Sequence, residues 1–139
     1  MLPKRKVNLL VRSFAMFVLL TLTISGIVPA MFHYDIYEDR KQQERMAFQE
    51  YAVPPNGEEI NDNSYEKIKS IVIAKEYRVM ATEEELEKYY RNKLENAGWK
   101  KVTTETGFGY SRDDFDLKIL IQIPKVKVRL LYTGKDDNI

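Results

Sequence analysis

The sequence predicts an α+β protein in two parts: an N-terminal single transmembrane helix, then a β-α-β-β-β two-layer domain with one helix on a mostly antiparallel sheet. Three observations carry that prediction. Twenty residues, Ser13 to Phe32, contain no charged side chain. Between Thr82 and Gly98, helix caps, charge placement and apolar spacing all agree. Residues 115–123 and 126–132 alternate between apolar and polar side chains across a single proline break.

The first segment is long enough to cross a bilayer. A helix rises about 1.5 Å per residue, so twenty residues match a hydrocarbon core of roughly 30 Å. Its hydroxyls, on Ser13, Thr21, Thr23 and Ser25, can bond back to helix carbonyls. Lys4, Arg5, Lys6 and Arg12 precede the segment, and Asp35, Glu38 and Asp39 follow it. This asymmetry predicts a single-pass cell-membrane protein with residues 1–12 cytoplasmic, residues 13–32 in the lipid bilayer and the C-terminal domain extracytoplasmic. The rival reading is a cleaved signal peptide, since Val28-Pro29-Ala30 resembles a cleavage site before Met31. Apolar character continues through Met31 and Phe32, and signal h-regions usually run only about 7 to 15 residues, so length favours retention. Gly26 and Ala30 have the small-xxx-small spacing that permits weak self-association of membrane helices.

Residues 33–52 are highly charged and read as a juxtamembrane stalk, either helical or a flexible linker. Pro54-Pro55-Asn56-Gly57 stops any helix, so the folded domain is placed at residues 53–133. Glu58 to Ser64 is polar and reads as a surface loop. Ile71, Ile73, Tyr77 and Val79 then occupy alternate positions, interrupted by Lys75, which predicts a strand over about residues 70–80, with Val72 and Ala74 suggesting that its other face is partly covered.

Thr82 with Glu85 three residues later forms a capping-box pattern, and Glu83 to Glu85 sit at the positive end of the helix dipole. Leu86, Tyr90, Leu94 and Ala97 make the apolar stripe, and Gly98 is placed to end the helix in a left-handed conformation. Trp99 to Thr104 is a weaker strand, and Gly107-Phe108-Gly109 reads as a turn. Phe115, Leu117, Ile119, Ile121 and Ile123 form one apolar row; Val126, Val128, Leu130 and Tyr132 form the next. Only Pro124-Lys125 separates the two rows, which predicts an antiparallel hairpin. The opposite sheet face, bearing Lys, Arg, Asp and Gln, is left solvated or open to a partner. Residues 134–139 are a polar tail.

Composition narrows the chemistry. The chain has no cysteine and one histidine, His33, which stands at the expected membrane boundary as an interfacial side chain. Disulfides, a lipid-modified cysteine, Ser-His or Cys-His nucleophiles and ordinary zinc sites therefore cannot be assembled in the domain. Asp113, Asp114 and Asp116 could face a hard cation, but they lack the spacing of a calcium loop and read as a solvated strand entrance. Gly107-Phe108-Gly109 is too short for a phosphate loop. Residues 33–139 hold 18 basic against 21 acidic residues, which argues against nucleic acid as a partner. Tyr89, Tyr90, Trp99, Phe108 and Tyr110 cluster around the helix end and read chiefly as packing, with an exposed aromatic binding patch as the alternative.

Pro54-Pro55-Asn56-Gly57-Glu58-Glu59-Ile60, the strand ending near Tyr77-Val79, Thr82-Glu83-Glu84-Glu85-Leu86, Tyr89-Tyr90, Leu94 and Gly98-Trp99 together resemble a group of small bacterial proteins. These are exported or membrane-anchored domains of uncharacterised function, and the layout covers residues 53–133. The resemblance implies a bacterial envelope origin and an α+β domain, and it brings no catalytic residues. The expected function is that of an extracytoplasmic binding or accessory module of an envelope assembly, with an unidentified envelope protein as partner. No catalytic, cofactor-binding or metal residue is assigned. The alternatives are a carboxylate-dependent envelope hydrolase, or a secreted binding protein if the N-terminal segment is cut.

Overall fold

The computed structural model describes the backbone of residues 4–134 and the side chains of residues 11–25, 27, 31 and 33–134. Three α-helices, a π-helical turn and seven strands follow one another: α1 (Lys4–Phe32), α2 (Tyr34–Ala47), the π-helical turn Phe48–Ala52, β1 (Glu58–Asp62), β2 (Tyr65–Glu66), β3 (Ile71–Arg78), α3 (Glu83–Asn96), β4 (Lys100–Val102), β5 (Phe108–Arg112), β6 (Phe115–Gln122) and β7 (Lys125–Tyr132). The chain divides into two compact units, residues 1–36 and residues 37–139.

The first unit is essentially α1. The hydroxyls of Thr23 and Ser25 donate to carbonyls three or four residues back, at 2.9 to 3.0 Å, and Thr21 does the same to Phe17. The expected transmembrane helix is corrected: among the described residues no helix is long and apolar enough to cross a membrane. Gly26 and Ala30, the expected association pair, lie outside the described side chains, as does Val28-Pro29-Ala30. Residues 135–139, most of the expected polar tail, also lie outside the description.

The second unit is an α+β domain with more strands than the expected four. Its sheet runs in the order β1-β3-β7-β6-β5-β4, with β2 also on β3, and every pairing is antiparallel. The polar run read as a loop is β1, an edge strand, followed closely by β2. Charge on an edge strand blocks sheet-to-sheet association, so acidic side chains here are compatible with a strand rather than evidence against one. Glu59 and Asp62 of β1 pair with Lys75 at 2.9 and 3.2 Å, and Glu58 pairs with Arg78 at 3.3 Å. Between β1 and β2 the ladder continues through Asn63 N to Ala74 O and Ala74 N to Ser64 Oγ.

Gly107-Phe108-Gly109, expected as a turn, is instead the entry to β5, with Phe108 opposite Ile119 and Gly109 opposite Lys118. Glycine is required at 107 because φ is +69° and a Cβ there would overlap the Ile119 carbonyl oxygen. The β6–β7 hairpin matches the alternation, with Leu117 opposite Leu130, Ile119 opposite Val128 and Ile121 opposite Val126.

One face of this sheet is covered. Its core joins Ile73, Tyr77, Leu117, Ile119, Val126, Val128 and Leu130 to Leu86, Tyr90 and Leu94 of α3. The capping box at Thr82 and Glu85 is complete. At the other end, Gly98 takes φ +83° while Gly98 N and Trp99 N donate to Glu95 O and Leu94 O, a Schellman closure. Residues 33–52, read as a stalk, contribute to the same core: Ala47, Phe48 and Ala52 are buried in it, and Tyr90 Oη donates to Ala52 O at 2.8 Å. Glu44 of α2, wholly buried, accepts from Ile71 N at 2.7 Å and so terminates the free end of β3. Burial pushes its carboxyl above the usual range, against the pull of the Ile71 and Tyr132 amides and the Arg40 and Arg45 guanidinium groups.

Candidate functional site: a cleft beside the β4 edge

One hollow of the domain follows from how the sheet ends. β4 has only three residues, all exposed, and pairs with β5 alone. α3 lies across the covered face, so a cleft of about 590 Å³ opens between the helix and this last strand. Glu87 and Arg91 form the helix wall, Lys101 to Thr104 form the strand wall, and Phe108 and Tyr110 lie at the base with Gly107. On the same strands a second hollow of about 560 Å³ is lined by Thr103 to Thr106, Asp116 and Lys118. Asp116 and Lys118 belong to the uncovered face of β6, so the edge strand has open space on both sides.

The base of the cleft is held rigid by packed rings. Tyr89 meets Tyr90 with ring centres 5.3 Å apart, Tyr90 meets Phe108 at 6.3 Å, and Phe108 meets Tyr110 at 6.2 Å, all edge-on. Tyr110 is buried, and burial, reinforced by Glu95 and Glu87, raises its hydroxyl above the ordinary phenol range, with Arg91 opposing. It is therefore a neutral donor at physiological pH. The rim mixes one carboxylate, Glu87, with two cations, Arg91 and Lys101, all exposed. An apolar base with a few charged rim groups suits recognition by shape, with charge selecting orientation.

The domain residues singled out from the sequence now have a place. Tyr90, Trp99 and Tyr110 are buried and Tyr89 and Phe108 half-buried, so the aromatic cluster is chiefly packing, with Phe108 reaching the cleft base. Trp99 packs tilted against Tyr51 with ring centres 5.4 Å apart, and Arg112 lies over the Tyr51 and Trp99 rings at 4.8 and 5.2 Å while donating to Tyr51 Oη and Ala97 O. Arg112 thereby meets the negative end of α3, a clamp that no motif announced.

Asp113, at φ +52°, and Asp114 form the β5–β6 turn, where the Asp114 carbonyl accepts from Thr133. Asp116 faces out from β6, and among the described residues no group of three metal-ligating side chains converges. His33 lies between α1 and α2. Sequence reasoning missed Arg91 and Lys101 as partners across a cleft, because nothing in the spacing of a helix and a later strand shows that they face each other. The short polar strand after Gly98-Trp99 was the available signal, since a three-residue strand is characteristic of an edge. No family model, curated protein or solved structure matches the chain.

Proposed function

We propose that this chain is a non-catalytic binding module of a bacterial envelope assembly, and that it receives an extended peptide segment of a partner protein along β4. The observation that carries this reading is the coincidence of a strand edge that pairs on one side only with a cleft of about 590 Å³. An added strand would take its main-chain hydrogen bonds from β4 and place alternate side chains toward the half-buried Phe108. Arg91 and Lys101 at the rim favour an acidic residue flanking an apolar one.

The same reading places α1 against lipid. Phe14, Met16, Phe17, Leu19, Leu20, Leu22, Ile27 and Met31 are each more than half exposed, an apolar surface that lying along a lipid surface would cover. Hydrolysis by paired carboxylates has less support, because Glu87 is the one acid lining the cleft and it is exposed.

Two experiments test the proposal. Selection of a phage-displayed random peptide library on the full-length chain should enrich apolar-acidic peptides whose binding falls by about tenfold or more in the double variant Arg91→Glu, Lys101→Glu. Enriched peptides indifferent to that variant would remove the cleft from the proposal. Flotation with phosphatidylcholine vesicles should carry the full chain upward, and a chain that stays with the soluble fraction would remove the lipid part.

A further inference from the structure

The uncovered sheet face carries a second feature that peptide binding at the β4 edge does not use. Lys118 on β6 stands directly opposite Arg129 on β7, and Lys127 is one register step away, opposite Leu120. Directly opposed strand residues have Cα atoms about 5 Å apart, so two like charges at one pair oppose folding. Among the described residues none of these three cations has a carboxylate within salt-bridge distance. The neighbouring acid, Glu76 opposite Lys127, is engaged by Lys125 at 3.0 Å. On the neighbouring strand β3 the cations are matched: Lys75 has Glu59 and Asp62, and Arg78 has Glu58.

The three cations line a hollow of about 410 Å³ together with Asn61, Asn63 and Thr106. Ala74 and Leu120 provide a small apolar base. The lining contains cations, amide donors and a hydroxyl, with Glu76 as its one carboxylate. It has no aromatic ring on which a base or sugar could stack, which disfavours single-stranded nucleic acid and glycans.

We infer that this hollow is an anion site for a small soluble compound bearing at least two phosphate charges, bridged between Lys118 and Arg129 with Lys127 as the third cation. A doubly charged anion converts the opposed pair from a repulsion into two charge-assisted hydrogen bonds. Asn61 and Asn63 supply neutral donors from the other side of the hollow.

Titration of the full-length chain in a nonionic detergent with pyrophosphate, followed by amide chemical shifts, tests the site. The expected result is saturable shifts centred on residues 118, 127 and 129, weakened as sodium chloride rises. Lys118→Gln with Arg129→Gln should weaken binding about tenfold or more, while Lys88→Gln on exposed α3 should leave it unchanged. The double variant should itself melt no lower than the parent at low salt, which separates lost binding from lost folding. Absence of saturable shifts, equal affinity in the double variant, or shifts produced only by phosphatidylglycerol bicelles would each overturn the inference.

Discussion

The two faces of the sheet follow different rules, and β6 displays both in adjacent residues. Leu117 is wholly buried under α3, while Lys118 is exposed on the far side. On the covered face the side chain is dictated by packing, and the single charge in its central apolar row, Lys75, arrives with two acids from β1. On the open face packing dictates little, and the proposed anion site uses the three cations left without acids there. The same contrast separates the ends of the sheet. β1 is an edge strand whose acids are held by cations of β3, whereas β4 is an edge strand beside a cleft.

Substitutions can break or sharpen this contrast. Leu117→Ala should destabilise the domain by about 3 kcal/mol in chemical denaturation, because it removes a fully buried side chain from a close-packed core. Thr82→Ala should cost about 1 kcal/mol by the same measurement, since the lost cap loosens the helix that covers the face.

Glu44→Gln acts on pH dependence. Its folded carboxyl titrates above the ordinary value, so the folded state binds more protons in that window. Its contribution to stability is therefore greatest below the ordinary carboxylate range and declines as pH rises through the raised value. The glutamine variant should show a flatter stability profile there, read as melting temperature against pH. Lys118→Gln should be the mildest change, raising stability by a few tenths of a kcal/mol at low salt and by nothing at high salt. A loss of stability there would place Lys118 in the fold's own electrostatics.

Elements whose local and tertiary signals coincide were legible in the sequence. α3 was defined by Thr82, Glu85 and Gly98, and the β6–β7 hairpin by strict alternation, and both have those forms. β1 was not legible, because its acids are paired with Lys75 and Arg78 across a ladder that sequence does not show. α2 and the π-helical turn were obscure for a related reason. Phe48 and Ala52 are core residues in a stretch whose overall charge suggested solvent. Of the candidate site, the aromatic residues were visible as a cluster and were packing. The rim cations Arg91 and Lys101 came together only through the cleft, and the open basic face was foreseen as a face without its cross-strand pairing.

The peptide reading rests on β4 accepting a new strand, and hydrogen exchange measures this directly. The full-length chain with a library-selected peptide should show exchange at residues 100–102 slowed by about tenfold or more, with smaller protection at Arg91 and Phe108. Unchanged exchange at β4, with protection appearing elsewhere on the domain, would contradict the account.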